Sequence, residues 1–125
     1  MLARFDVMAF VPVSNFEEAK AFYNDALGLE IVDETPFAIA LNANGTSVRL
    51  TLVDDFEPQP FTILGWRVAD IARSVIELAE AGVAFERFEG MTQDLIGIWT
   101  APDGAKVAWF RDPDGNLLSL TQFAG

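Results

Sequence analysis

The stretch Phe110-Arg111-Asp112-Pro113-Asp114-Gly115-Asn116-Leu117-Leu118-Ser119-Leu120-Thr121-Gln122-Phe123 reads as a strand, a tight turn and a second strand. Pro113 presets φ for the turn, Gly115 supplies a positive φ, and Asp112, Asp114 and Asn116 can cap the backbone donors that the turn frees. Beyond the turn, Ser119, Thr121 and Phe123 alternate against Leu118, Leu120 and Gln122, so the second strand has two chemically different faces.

Upstream of this hairpin the same half of the chain holds a strand over Phe61–Val68 and a helix capped by Asp70. Ile71, Val75, Leu78 and Ala79 are expected to face inward, and Gly82 ends the helix. Further strands are expected over Val83–Phe88, Ile96–Thr100, Lys106–Phe110 and Leu117–Phe123. The first half repeats the plan. Arg4–Val13 is β-leaning, and Ser14 with Glu17, or Asn15 with Glu18, makes a capping box. Phe16, Ala19, Phe22, Tyr23 and Leu27 form one helical stripe that Gly28 stops. Short strands follow at Leu29–Val32, Phe37–Leu41 and Ser47–Val53, the last two joined by a turn at Asn42-Ala43-Asn44-Gly45.

The halves align: Val13-Ser14-Asn15 falls over Val68-Ala69-Asp70, Gly28 over Gly82, and Asn44-Gly45 over Asp114-Gly115. The second copy is longer through Met91–Gly104. An internal βαβββ duplication accounts for this, with helices on one sheet face and the other face free. The expected fold class is therefore α+β, one domain over residues 1–125 made of modules 1–55 and 56–125. The acidic, proline-bearing Asp54–Pro60 stretch is a linker within it.

Composition excludes several chemistries. Eight basic against nineteen acidic residues give a net charge of −11, which argues against nucleic acid and anionic membranes as partners. Without cysteine there is no disulfide or thiolate nucleophile, and without histidine no imidazole base or metal ligand. No apolar run reaches membrane-spanning length and the start lacks a signal-peptide pattern, so a cytoplasmic location is the default expectation.

With Val13–Tyr23 followed by Leu27-Gly28-Leu29, then Val68-Ala69-Asp70-Ile71 with Gly82-Val83-Ala84-Phe85, then Asp112–Asn116, the chain resembles the vicinal oxygen chelate superfamily. This is the glyoxalase, bleomycin-resistance protein and extradiol dioxygenase group. The resemblance implies paired βαβββ modules whose sheets curl around a cavity. In metal-using members, a His or Gln on each module's first strand and a Glu on each last strand bind a divalent ion. Those positions correspond here to Met8, Ile63, Arg49 and Ser119, a poor set for a hard cation. Because those positions depart from the family's ligands, the resemblance supplies the cup without the metal, and no metal or other cofactor is expected.

Strand alternation set by those positions puts Met8, Phe10, Arg49, Thr51, Ile63, Arg67, Ser119 and Thr121 on the cavity face as ligand-binding candidates, with Trp99 and Trp109 as walls. Each has a structural reading beside the functional one. Aromatic residues pack cores, Met8 fills gaps, and Arg49 and Arg67 pair with surface carboxylates in most proteins. The functional expectation is a metal-free protein that sequesters a small apolar or aromatic molecule, an anionic one included, and that forms a homodimer. The alternative is an atypical enzyme of the same superfamily, a lyase, isomerase or dioxygenase of unknown substrate, with Asp6, Glu30, Glu86 and Asp94 as unplaced carboxylates. A third reading is an accessory subunit whose cup meets a protein.

Overall fold

The computed structural model describes all 125 residues and divides the chain into Met1–Glu57 and Pro58–Gly125. Each unit has the order strand, helix and three strands, and each builds its own four-stranded mixed sheet.

In the first unit, β1 (Met8–Val13) leads into α1 (Phe16–Lys20), then β2 (Glu30–Glu34), β3 (Ala38–Ala43) and β4 (Thr46–Leu52). The sheet order is β1-β4-β3-β2, with β1 parallel to β4 and the other pairs antiparallel. The strand expected from Arg4 begins only at Met8, because Leu2–Arg4 closes a 3₁₀ turn. Of the two capping alternatives, Asn15 is the cap: its Oδ1 accepts from the Glu18 N–H at 3.0 Å.

The expected single α-helical stripe is interrupted. Residues Ala21–Ala26 form a π-helix, with the Leu27 N–H donating to the Phe22 carbonyl, five residues back, at 2.9 Å. In this wider turn Phe22 and Tyr23 meet edge to face with centroids 5.1 Å apart, and Tyr23 is fully buried. Lys20, just before it, sits 2.8 Å from Glu34 and 3.1 Å from Glu17. Hydrogen bonds to Glu34 first and Glu17 second raise its pKa above the ordinary 10.5.

Alternation along the strands separates two faces. Val11, Val13, Ile39, Leu41, Val48 and Leu50 are buried with Ala19 and Tyr23 of the helical segment, which makes the core of this unit. The turn joining β3 to β4 takes positive φ at Asn44 and Gly45, the geometry a two-residue hairpin needs, and Asn42 Oδ1 accepts from the Gly45 N–H.

The second unit runs β5 (Thr62–Arg67), α2 (Ile71–Glu80), β6 (Trp99–Thr100), β7 (Lys106–Arg111) and β8 (Leu117–Gln122), in sheet order β5-β8-β7-β6. Helix α2 is capped twice. Asp70 Oδ1 accepts from the Arg73 N–H, and Gln122 Oε1, reaching from β8, accepts from the Ile71 N–H at 2.9 Å. Ile71 and Val75 are buried, Leu78 is half-buried, and Ala79, expected to face inward, is exposed. Ala108, Phe110, Leu118 and Leu120 complete the core, with Trp66 stacked on Phe110 at 6.2 Å.

The largest departure from expectation lies between α2 and β7. Val83–Phe88 is not a strand; Phe85 makes one bridge to Phe110 and the Glu86 N–H donates to the Trp109 carbonyl. Gln93 supplies the reason. Its side chain accepts from the Phe88 N–H and donates to the Glu86 and Gly97 carbonyls, so an amide takes the place of a neighbouring strand. Asp94 likewise accepts from the Ile96 and Ile98 N–H groups, which shortens the expected Ile96–Thr100 strand to two residues.

The Asp112–Asn116 turn is built as expected. The buried Asp112 carboxylate accepts from the Asp114 and Asn116 N–H groups and from the Asn116 side chain, all within 3.0 Å. Next to it Arg111 donates to Glu86 and to the Gly115 carbonyl. No helix is long and apolar enough to cross a membrane.

Candidate functional site

Each sheet buries one face under its helix and leaves the other open, and the strand register decides which side chains share the open face. In the first unit, Met8 lies beside Ser47, Phe10 beside Arg49, and Pro12 beside Thr51. Arg49 continues the row to Ala40 and then Asp33. Met8, Phe10, Arg49 and Thr51 therefore lie together on one face. Phe10 is 62% exposed and Met8 47%, whereas Val11 and Val13 between and beyond them are buried. Arg49 is half-buried and in no ion pair, so its guanidinium is available on a face that also carries Met8, Phe10 and Thr51.

In the second unit, Gly65 lies beside Ser119 and Ser119 beside Trp109; Arg67 lies beside Thr121, Thr121 beside Val107, and Val107 beside Trp99. The two rows put Arg67, Ser119, Thr121, Trp99 and Trp109 on the open face. Trp99 and Trp109 stand with centroids 6.1 Å apart, and Phe88 meets Trp109 edge-on at 5.4 Å. At one end of this tier Gly65 has no side chain, and a Cβ there would lie 2.9 Å from Ser119 Oγ, so the bare backbone makes room for the hydroxyl. Arg67 is exposed and lies over the ring of Phe123 at 5.0 Å.

Ile63 is placed differently from the expected alternation. The register shifts between Thr62, opposite Leu117, and Leu64, opposite Leu118, which leaves Ile63 without a partner across β8. Gly65, two residues on, is the residue that lies beside Ser119. Phe88 and Gly65 are site neighbours that the sequence reading did not name, whereas Phe123 shares the strand parity of Ser119 and Thr121. Phe88 comes from an irregular segment, and Gly65 contributes by lacking a side chain.

The metal positions implied by the resemblance hold a thioether, an alkyl chain, a guanidinium and one hydroxyl, and no three His, Cys, Asp or Glu side chains gather as a metal-binding group. This donor set does not fit a divalent cation. The unplaced carboxylates form no alternative set. Glu86 pairs with Arg111 at 2.9 Å and Asp94 caps its own loop, while Asp6 and Glu30 lie exposed in the first unit.

The family model described as glyoxalase/bleomycin resistance protein/dioxygenase superfamily matches residues 4–120. An uncharacterised protein of Bacillus subtilis, YraH, is 31% identical over 123 residues, covering 86% of this chain and 90% of its own. Among solved structures, TnmS3, an antibiotic binding protein from a Streptomyces species, is 28% identical with a TM-score of 0.68 over 96% of each chain. A superfamily member from Sphaerobacter thermophilus is 26% identical with a TM-score of 0.69, covering 94% of this chain and 96% of that one. Two βαβββ units and a match over nearly the whole length lead to one assignment: the chain belongs to the glyoxalase/bleomycin resistance protein/dioxygenase superfamily.

Proposed function

We propose that this protein binds a small, largely apolar or aromatic molecule without a metal ion, as a sequestering protein rather than a catalyst. The observation that carries this reading is the half-buried aromatic tier of Trp99, Trp109 and Phe88 beside Ser119, at a place where metal-using relatives need a carboxylate. Aromatic walls with a few polar anchors suit a planar ligand held by stacking. The unpaired Arg49 guanidinium gives the first unit's open face an anchor for an anionic group. The likeness to an antibiotic binding protein supports binding over turnover.

The test is a thermal-shift and tryptophan-fluorescence screen of the full chain against planar aromatic compounds, neutral and carboxylated. A binder present at a hundred times its Kd should raise stability by about 2.7 kcal/mol and perturb the indole emission. Trp99→Ala and Trp109→Ala should each weaken that binder about tenfold or more while the protein stays folded. Stoichiometric retention of zinc, nickel or manganese after dialysis, or a binder indifferent to both substitutions, would overturn the proposal.

A further inference from the structure

Ser119 is only 8% exposed, and its hydroxyl is in no hydrogen bond within the chain. No fully buried side-chain oxygen or nitrogen lacks a partner, so the Ser119 Oγ is the part of the residue that still meets solvent. Its place in the sheet explains how. Ser119 lies on β8 between Gly65 of β5 and Trp109 of β7. On one side there is no side chain at all, and a Cβ there would come within 2.9 Å of the hydroxyl. On the other side stands a wall of the aromatic tier. A hydroxyl this enclosed has little room for water, and a ring laid over it must either bond it or leave it unpaired.

The other polar groups on this face are mostly of one kind. Trp99 and Trp109 carry indole N–H groups, which donate and cannot accept, and neither is bonded within the chain. Arg67, one row on beside Thr121, likewise has donors and no acceptor. The Glu86 carboxylate is already held by Arg111 at 2.9 Å. Only the two hydroxyls, Ser119 and Thr121, can serve either way. The face is rich in donors and poor in acceptors.

With the aromatic-ligand reading above as its basis, we infer that the second unit selects planar aromatic molecules whose edge carries a hydrogen-bond acceptor, a carbonyl oxygen or a ring nitrogen, and that the Ser119 hydroxyl reads it. Gly65 is a positioning residue, since it leaves the space in which the hydroxyl stands. A hydrocarbon ring of the same outline stacks as well but strands the hydroxyl. A ring edged with N–H meets donors almost everywhere.

Equilibrium dialysis of the full chain against three tricyclic probes of one outline tests the inference. Fluorene has neither donor nor acceptor, fluorenone has a carbonyl, and carbazole has an N–H. Fluorenone should bind about tenfold more tightly than either of the others. In Ser119→Ala that advantage should fall to about twofold or less. Gly65→Ala should do the same by displacing the hydroxyl, with an unchanged far-ultraviolet spectrum, because a serine side chain rotates before the backbone yields. Trp109→Ala should weaken all three probes together, which reports on the tier and not on the hydroxyl. Three probes that bind alike and depend on Trp109 would overturn selection by acceptor while leaving aromatic binding in place. So would a fluorenone advantage that survives Ser119→Ala, or a preference for carbazole. Binding of none of the three would overturn both this inference and the proposed function.

Discussion

Replacing Asp112 by alanine should unfold the second unit more readily than any other single change at a surface turn. The carboxylate receives the Asn116 N–H at 2.9 Å, the Asn116 side-chain amide at 2.9 Å and the Asp114 N–H at 3.0 Å. Asn116 is only 2% exposed, so water has no access to the two donors it would lose contact with. Each buried donor left without its acceptor costs about 1–3 kcal/mol, whereas the part-buried Asp114 N–H finds solvent at little cost. The loss for Asp112→Ala, two such donors, is then about 2–6 kcal/mol. Asp112→Asn keeps one acceptor oxygen but turns an amide NH₂ towards that of Asn116, and should lose about half as much. Urea unfolding followed by tryptophan fluorescence reports directly, since Trp99 and Trp109 lie in this unit; with a slope of about 1.5 kcal/mol/M the midpoint falls by roughly 1.3–4 M. A loss for Asp112→Ala below about 1 kcal/mol, or an Asp112→Asn variant worse than the alanine, would refute the donor accounting.

Two further outcomes follow from named contacts. Lys20→Met should be less stable than the wild type at neutral pH, by a margin that stays constant up to pH 10.5 and shrinks above it. The folded state holds the Lys20 proton more tightly than the unfolded one, so stability is lost as pH rises through the raised folded pKa; a margin that grew above pH 10.5 would contradict the ion-pair geometry. Gln122→Ala removes the acceptor for the Ile71 N–H, and should cost about 1 kcal/mol in equilibrium unfolding with faster amide exchange confined to the first turn of α2. Uniform acceleration across the unit would show that Gln122 is not acting as a cap.

Much of the fold was legible because its signals are local. Pro113, Gly115 and the flanking acids specify a turn whatever surrounds them, and Asp70 or Asn15 before an apolar stripe specifies a helix start. Face assignment followed from period-two alternation wherever strands pair without interruption, as they do for Met8, Phe10, Arg49 and Thr51. It was lost at Ile63, where the register shift breaks the period, and at Val83–Phe88, whose β-type composition was outweighed by the side chain of Gln93 five residues beyond. Nothing about a single glutamine announces that role. The aromatic tier lay between these cases: Trp99 and Trp109 stood out by type, but their common face depended on β6–β7–β8 register, which no local pattern encodes.

The π-helical turn at Ala21–Ala26 bears on how this chain tolerates change in length. A turn closed by the Leu27-to-Phe22 bond holds one residue more than an α-helical turn would over the same rise. Removing one residue there would let the helix close as an ordinary α-helix while Gly28 and β2 keep their places in space. The same deletion inside β3 or β4 would turn the rest of the strand inside out. This short stretch is thus the point in the first unit where a gap between relatives could be structurally silent, and where aligning residues by number across such a gap would pair the fully buried Tyr23 with a neighbour that is only half-buried.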